Sequence, residues 1–135
     1  MKKLTILQGP PAAGKSSLAR EIHKKDKENT IIVRRDSIRE SLGTYWIPAR
    51  EPLVLEIERS MVNLSLSHGY HVIVDNTNME NSNVWKELAK LHSCPIEFIH
   101  LQITKEESLI RNKGIGRRQV PDEFIEHFFK KYYNE

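Results

Sequence analysis

Nine consecutive residues, Gly9-Pro10-Pro11-Ala12-Ala13-Gly14-Lys15-Ser16-Ser17, follow the pattern G-x-x-x-x-G-K-[ST] immediately after an apolar run. The spacing has a chemical reason. Gly9 and Gly14 let the backbone turn so that successive N–H groups point inward and cradle phosphates. A helix opening near Lys15 adds its positive N-terminal end. Lys15 is then within reach of the β- and γ-phosphates, and the Ser16 hydroxyl can ligate Mg²⁺. Residues 9–17 are therefore expected to hold a nucleoside triphosphate. Guanine-specific proteins add N-K-x-D; here Asn112-Lys113 runs into Gly114-Ile115. Adenine is the expected base, making Mg²⁺–ATP the expected cofactor.

A second group, Arg34-Arg35-Asp36-Ser37-Ile38-Arg39, follows the apolar run Thr30-Ile31-Ile32-Val33. In a parallel sheet, ligands gather at the carboxyl ends of the strands, which brings Asp36 to the same rim as the phosphate loop. A carboxylate there can accept the proton of an incoming hydroxyl and orient it for in-line attack. The same residue also suits a helix N-cap, and the two roles are compatible. Arg34, Arg35 and Arg39 flank it, and three cations within six residues suggest an anionic acceptor. On a helix, Arg39 shares the face of Asp36.

A third apolar run, His71-Val72-Ile73-Val74, ends in Asp75, the form of a Walker B segment that positions Mg²⁺ or its waters. Asn76-Thr77-Asn78 continues the polar cluster and can bind substrate hydroxyls or order the loop. Its plainer reading is an Asx-rich turn after a strand. Arg111-Asn112-Lys113-Gly114-Ile115-Gly116-Arg117-Arg118-Gln119-Val120-Pro121 places two glycines among four cations. That composition fits a mobile lid in which arginine neutralises charge on transferring phosphates. Six histidines form no legible Ser-His-Asp or zinc constellation.

These groups need elements to hold them. Residues 3–8, 30–34, 71–74 and 96–101 read as strands, and residues 15–25 as a helix. Leu53, Ile57, Met61 and Leu64 form the stripe of a second helix running to about His68, with Gly69 as its C-terminal cap. Asn81 or Ser82 caps a helix carrying Val84, Trp85, Leu88 and Leu91. Thr104 opens another, with Glu106 and Glu107 in its first turn. Pro121-Asp122-Glu123 begins a last helix with Phe124, Ile125, Phe128 and Phe129 inward. Residues 42–52 read as loop. Strands alternating with helices predict an α/β fold, a parallel sheet of about four strands flanked by helices.

At 135 residues, with no repeat or linker-like stretch, residues 1–135 are expected to form one domain. The single cysteine, Cys94, excludes an internal disulfide framework and fits a reducing, cytoplasmic setting. No apolar run is long enough to span a bilayer. The formal charge of +3 agrees with an anionic ligand.

Taken in order, residues 9–17, Arg35-Asp36-x-x-Arg39, Asp75-Asn76-Thr77-Asn78 and Arg111-Asn112…Val120-Pro121 resemble the kinase domain of the bacteriophage 5′-hydroxyl polynucleotide kinase family over nearly the whole chain. The resemblance implies a P-loop kinase fold, Mg²⁺–ATP as donor and a 5′-hydroxyl nucleic-acid end, RNA or DNA, as acceptor. It casts Asp36 as general base and Arg39 as the ligand of the acceptor's neighbouring phosphate. Arg35, Asp75, Thr77 and Asn78 fall on the substrate side. Lys15, with a lid arginine, clamps the donor phosphates, joined by Arg111. The family's lid arginine falls at Ile115 in this chain, so Arg117 or Arg118 is expected to substitute. Two alternatives share much of this machinery: a P-loop kinase of a small hydroxylated metabolite or nucleotide, and a non-kinase ATPase or nucleotide-sensing module.

Overall fold

The computed structural model describes residues 2–77, 79–114 and 120–134. Four strands alternate with helices. They are β1 (Lys3–Gln8), β2 (Thr30–Arg34), β3 (His71–Asp75) and β4 (Ile96–His100). All pair in parallel, in the order β2-β3-β1-β4. The helices are α1 (Lys15–Lys25), α2 (Arg35–Ser41), α3 (Glu51–Ser67), α4 (Ser82–Leu91), α5 (Lys105–Asn112) and α6 (Asp122–Tyr133). This is the α/β architecture, a four-stranded parallel sheet flanked by helices, that the alternation of strands and helices predicts.

The near-continuous apolar runs of the strands are explained by burial on both faces. Leu4, Ile6, Val33, Val72 and Val74 point to one side, where they pack with Val54, Val62 and Leu66 of α3 and with Trp85 and Ala89 of α4. Leu7 and Ile73 point to the other side and meet Ala19 of α1. Ile125, Phe128 and Phe129 of α6 form a third cluster with Ile103, Leu109 and Val120 around it.

The caps follow local chemistry. The Thr104 hydroxyl accepts a hydrogen bond from the Glu107 N–H at 3.1 Å, closing the first turn of α5. Gly69, at φ +89°, ends α3. Its N–H donates to Leu66 O and that of Tyr70 to Ser65 O, the paired bonds of a Schellman motif.

Four expectations need correction. The buried face of α3 is Val54, Glu58, Val62 and Leu66, one ridge away from the stripe read in the sequence. Leu53, Met61 and Leu64 are exposed, Leu64 at 59%, and Ile57 only flanks the core. The cause is Glu58, a charge on the core face that breaks the apolar pattern there and leaves the neighbouring ridge looking more regular. Secondly, residues 42–52 are not all loop: a 3₁₀ turn spans Pro48–Arg50 and α3 begins at Glu51. Thirdly, the N-cap of α2 is Arg34, so Asp36 lies inside the first turn rather than capping it. Finally, Phe124 is exposed, while Ile125, Phe128 and Phe129 are buried.

Candidate active site

Strand register fixes the rim of the sheet. Leu7 of β1 and Arg34 of β2 both sit level with Asp75 of β3. Neighbouring strands lie about 4.8 Å apart, so the ends of β1 and β2 are only about 10 Å apart across Asp75. From this row the phosphate loop leaves β1, the Asn76-Thr77 segment leaves β3 and Asp36 follows β2.

The loop after β1 is held largely through its own backbone. Gly9 and Gly14 take φ of +143° and +98°. A Cβ on Gly9 would lie 2.5 Å from the Leu101 carbonyl oxygen, so only glycine fits. The Gly9 N–H donates to Thr77 O at 3.3 Å, tying the loop to the segment after β3. From α5, the buried Ser108 hydroxyl donates to Pro11 O at 2.7 Å and Arg111 Nη1 donates to Ala12 O at 3.4 Å. Lys15 is buried and folds back over the loop, its Nζ donating to Gly9 O and Pro10 O at 3.0 and 2.7 Å.

Ser16 and Asp75 meet. The Ser16 hydroxyl donates to Asp75 Oδ2 at 2.8 Å, and Arg34 Nε donates to the same oxygen at 3.2 Å. Arg34 Nη2 also reaches Ser16 Oγ at 3.3 Å. Arg34, expected only as one of three cations flanking Asp36, neutralises a buried carboxylate with its guanidinium. Hydroxyl and carboxylate oxygens side by side fit a hard cation such as Mg²⁺, which takes few protein ligands and completes its shell with water and phosphate. Among the described residues no cluster of three or more His, Cys, Asp or Glu groups could hold a metal without such help.

The side after β2 is built from side-chain pairs. Asp36 Oδ1 accepts from Arg39 Nη1 at 3.0 Å and from the Tyr45 hydroxyl at 2.7 Å. No hydrogen bond from the described residues reaches Oδ2. Arg39 grips Glu51 at two points, Nε to Oε2 at 3.0 Å and Nη2 to Oε1 at 2.6 Å. Its guanidinium also lies 5.7 and 5.5 Å from the ring centroids of Tyr45 and Trp46. Burial, and the hydrogen bond to Asp36, push the Tyr45 hydroxyl up to about 12, so it is a donor at all ordinary pH.

Arg35 turns inward. Its Nη2 and Nε donate to Glu58 Oε1 at 2.8 and 3.3 Å, and Asn76 Nδ2 donates to Glu58 Oε2. Glu58 is 1% exposed and ties α3 to the start of α2 and to the turn after β3. The three arginines that flank Asp36 in the sequence thus meet four carboxylates, Asp36, Glu51, Glu58 and Asp75. Asn112 is buried and clasps Val120, donating to its carbonyl at 2.7 Å and accepting from its N–H at 3.0 Å. The expected lid arginines Arg117 and Arg118, like Asn78, lie outside the described residues.

A profile of the AAA_33 family, described as an AAA domain, matches residues 4–133. The chain belongs to this family. Its fold is that of the P-loop kinases. The chain is 29% identical to the L-seryl-tRNA(Sec) kinase of Methanococcus maripaludis, over 96% of its own length and 52% of that relative. It thus spans about half the length of this curated relative. Among solved structures it is similar to a chain of the Pnkp1/Rnl/Hen1 complex, with a TM-score of 0.68 and 26% identity over 90% of this chain and 42% of that one. A chain of the Pnkp1/Rnl/Hen1 RNA repair complex gives a TM-score of 0.75 at 22% identity, covering 98% of this chain and 44% of that one.

In this AAA_33 domain Lys15, Ser16, Asp36, Arg39, Asp75 and Arg111, each expected from the sequence, lie on or beside the rim. Sequence reasoning missed Tyr45, Trp46, Glu51, Glu58 and Ser108. Two signals were present: an adjacent aromatic pair in a polar loop bounded by Gly43 and Pro48, and a lone charge within the apolar pattern of α3. Among the described residues no helix is long and apolar enough to cross a membrane.

Proposed function

We propose that this kinase transfers the γ-phosphoryl group of Mg²⁺–ATP to a 5′-hydroxyl end of a polynucleotide, RNA or DNA. The observation that carries this reading is the alignment of the phosphate loop, Asp75 and the β2–α2 junction on one rim, with the half-exposed Asp36 carboxylate beside it. A bound triphosphate lies along residues 9–17, its β- and γ-phosphates met by backbone N–H groups and by Lys15. Lys15 gives up its carbonyl partners in the loop for the phosphates. Ser16 and Asp75 would hold the metal ion, which would supply charge neutralisation when bound. Arg34, half-exposed, would yield its place at Asp75.

On the acceptor side, Asp36 Oδ2 takes the proton of the attacking hydroxyl while Arg39 and Tyr45 hold Oδ1. Holding the hydroxyl in line supplies much of the rate, because the loose transition state leaves little covalent work to the protein. Arg39 receives the acceptor's neighbouring phosphate by exchanging Glu51 for it, since a bidentate carboxylate and a phosphate use the same guanidinium edge. Thr77 contacts the acceptor, Arg35 supports it through Glu58 and Asn76, and Arg111 braces the loop that receives the phosphates. The likeness to a seryl-tRNA(Sec) kinase supports a second reading, a hydroxyl carried by RNA away from its 5′ end.

An acceptor screen with γ-labelled ATP decides between them. Label on a 5′-hydroxyl oligonucleotide and not on its 5′-phosphorylated form is the expected result. Label only on seryl-tRNA favours the second reading. Label only on small sugars or nucleosides, or only in inorganic phosphate, overturns both.

A further inference from the structure

We infer that Trp46 is a stacking platform for the acceptor's terminal base and so a determinant of acceptor specificity. The inference rests on the polynucleotide reading above and adds what part of the nucleotide is recognised. Trp46 is more exposed than any other described Phe, Tyr or Trp, at 56%. The chain places this large apolar surface in a loop, one residue from Tyr45, whose hydroxyl holds Asp36. The Arg39 guanidinium lies 5.5 Å from its ring centroid, and Arg39 is itself bonded to Asp36. Thus the half-exposed carboxylate, a cation able to take a phosphate and an exposed indole are linked through a single guanidinium.

That combination matches the parts of a terminal nucleotide, which presents a hydroxyl, a phosphate and a flat base within a few bonds of one another. Proteins that hold single strands pair cationic grooves with aromatic rings in this way, because every base offers a π-face. A structural role alone does not account for the exposure. A tryptophan recruited only to pack would bury its ring, as Trp85 does at 1% exposed.

The test compares two 5′-hydroxyl oligonucleotides, one ordinary and one whose terminal residue lacks its base. With wild-type protein, the ordinary acceptor should show the lower KM. Trp46→Ala should raise that KM roughly tenfold or more while leaving the ATP KM and the KM of the abasic acceptor unchanged. Trp46→Phe, which keeps a ring, should restore most of the difference. In parallel, the ordinary oligonucleotide should quench the exposed tryptophan's fluorescence in wild-type protein and not in Trp46→Phe, where only buried Trp85 remains. That binding measurement decides the matter even if Trp46→Ala fails to fold. If wild-type protein labels both acceptors and Trp46→Ala shifts both KM values equally or neither, stacking is wrong and the polynucleotide reading stands. If wild-type protein labels neither acceptor, both fall.

Discussion

The two halves of the rim are built differently. The donor half is one continuous stretch, residues 9–17, held by its own backbone groups: its carbonyls accept from the Ser108 and Arg111 side chains, and the Leu101 carbonyl packs where a Gly9 side chain would be. The acceptor half is a net of side chains from α2, the loop after it and α3, in which Asp36, Arg39, Tyr45 and Glu51 each depend on another. A backbone-built site tolerates few side-chain types and presents the same N–H groups to any triphosphate. A side-chain net can be rewired one residue at a time. The contrast explains how one donor site can serve kinases with different acceptors.

Substitutions can break or sharpen this contrast, and the largest effect should come from the ion pair beneath the acceptor half. Glu58→Ala leaves the Arg35 guanidinium, mostly buried, without its carboxylate. It should cost about 3 kcal/mol of stability, measured by denaturant unfolding. A loss below about 1 kcal/mol would mean that the pair does not organise this half.

In the donor half, Gly9→Ala forces a methyl group against the Leu101 carbonyl and strains φ at +143°. A loss of about 1–3 kcal/mol is expected, together with weaker ATP binding by calorimetry. Unchanged ATP affinity would contradict a backbone-built cradle.

Glu51→Gln should act gently and in the opposite direction. Removing the charge that competes for Arg39 should lower the KM of a phosphate-bearing acceptor about two- to fivefold, at the scale of a partly exposed ion pair. The ATP KM should not move. A raised acceptor KM would mean that Glu51 positions Arg39 rather than occupying the acceptor's seat.

The same contrast governs what could be read from the sequence. The donor half was legible because nine adjacent residues carry it and the motif needs strand and helix at fixed sides. Asp36 and Arg39 were legible because an i,i+3 spacing on a helix is local. Tyr45, Trp46 and Glu51 were not, because only the fold brings the loop after α2 and the start of α3 against Arg39. Glu58 hid for another reason. A charge on the core face defeats periodicity, so the stripe of Leu53, Ile57, Met61 and Leu64 displaced the true one by a single ridge. The partners of the three arginines were hidden in a related way: charge counted along the chain could not reveal the four carboxylates that fold against them.

The central claim is that Asp36 delivers a hydroxyl to the γ-phosphate held by the loop. It is tested most directly by single-turnover transfer from γ-labelled ATP to a 5′-hydroxyl oligonucleotide, with wild-type protein and Asp36→Asn compared at equal ATP occupancy. Wild-type protein should place the label on the 5′ oxygen. Asp36→Asn should do so roughly 10²–10⁴-fold more slowly with ATP affinity unchanged. Equal rates in the two proteins, or label appearing only as inorganic phosphate, would contradict it.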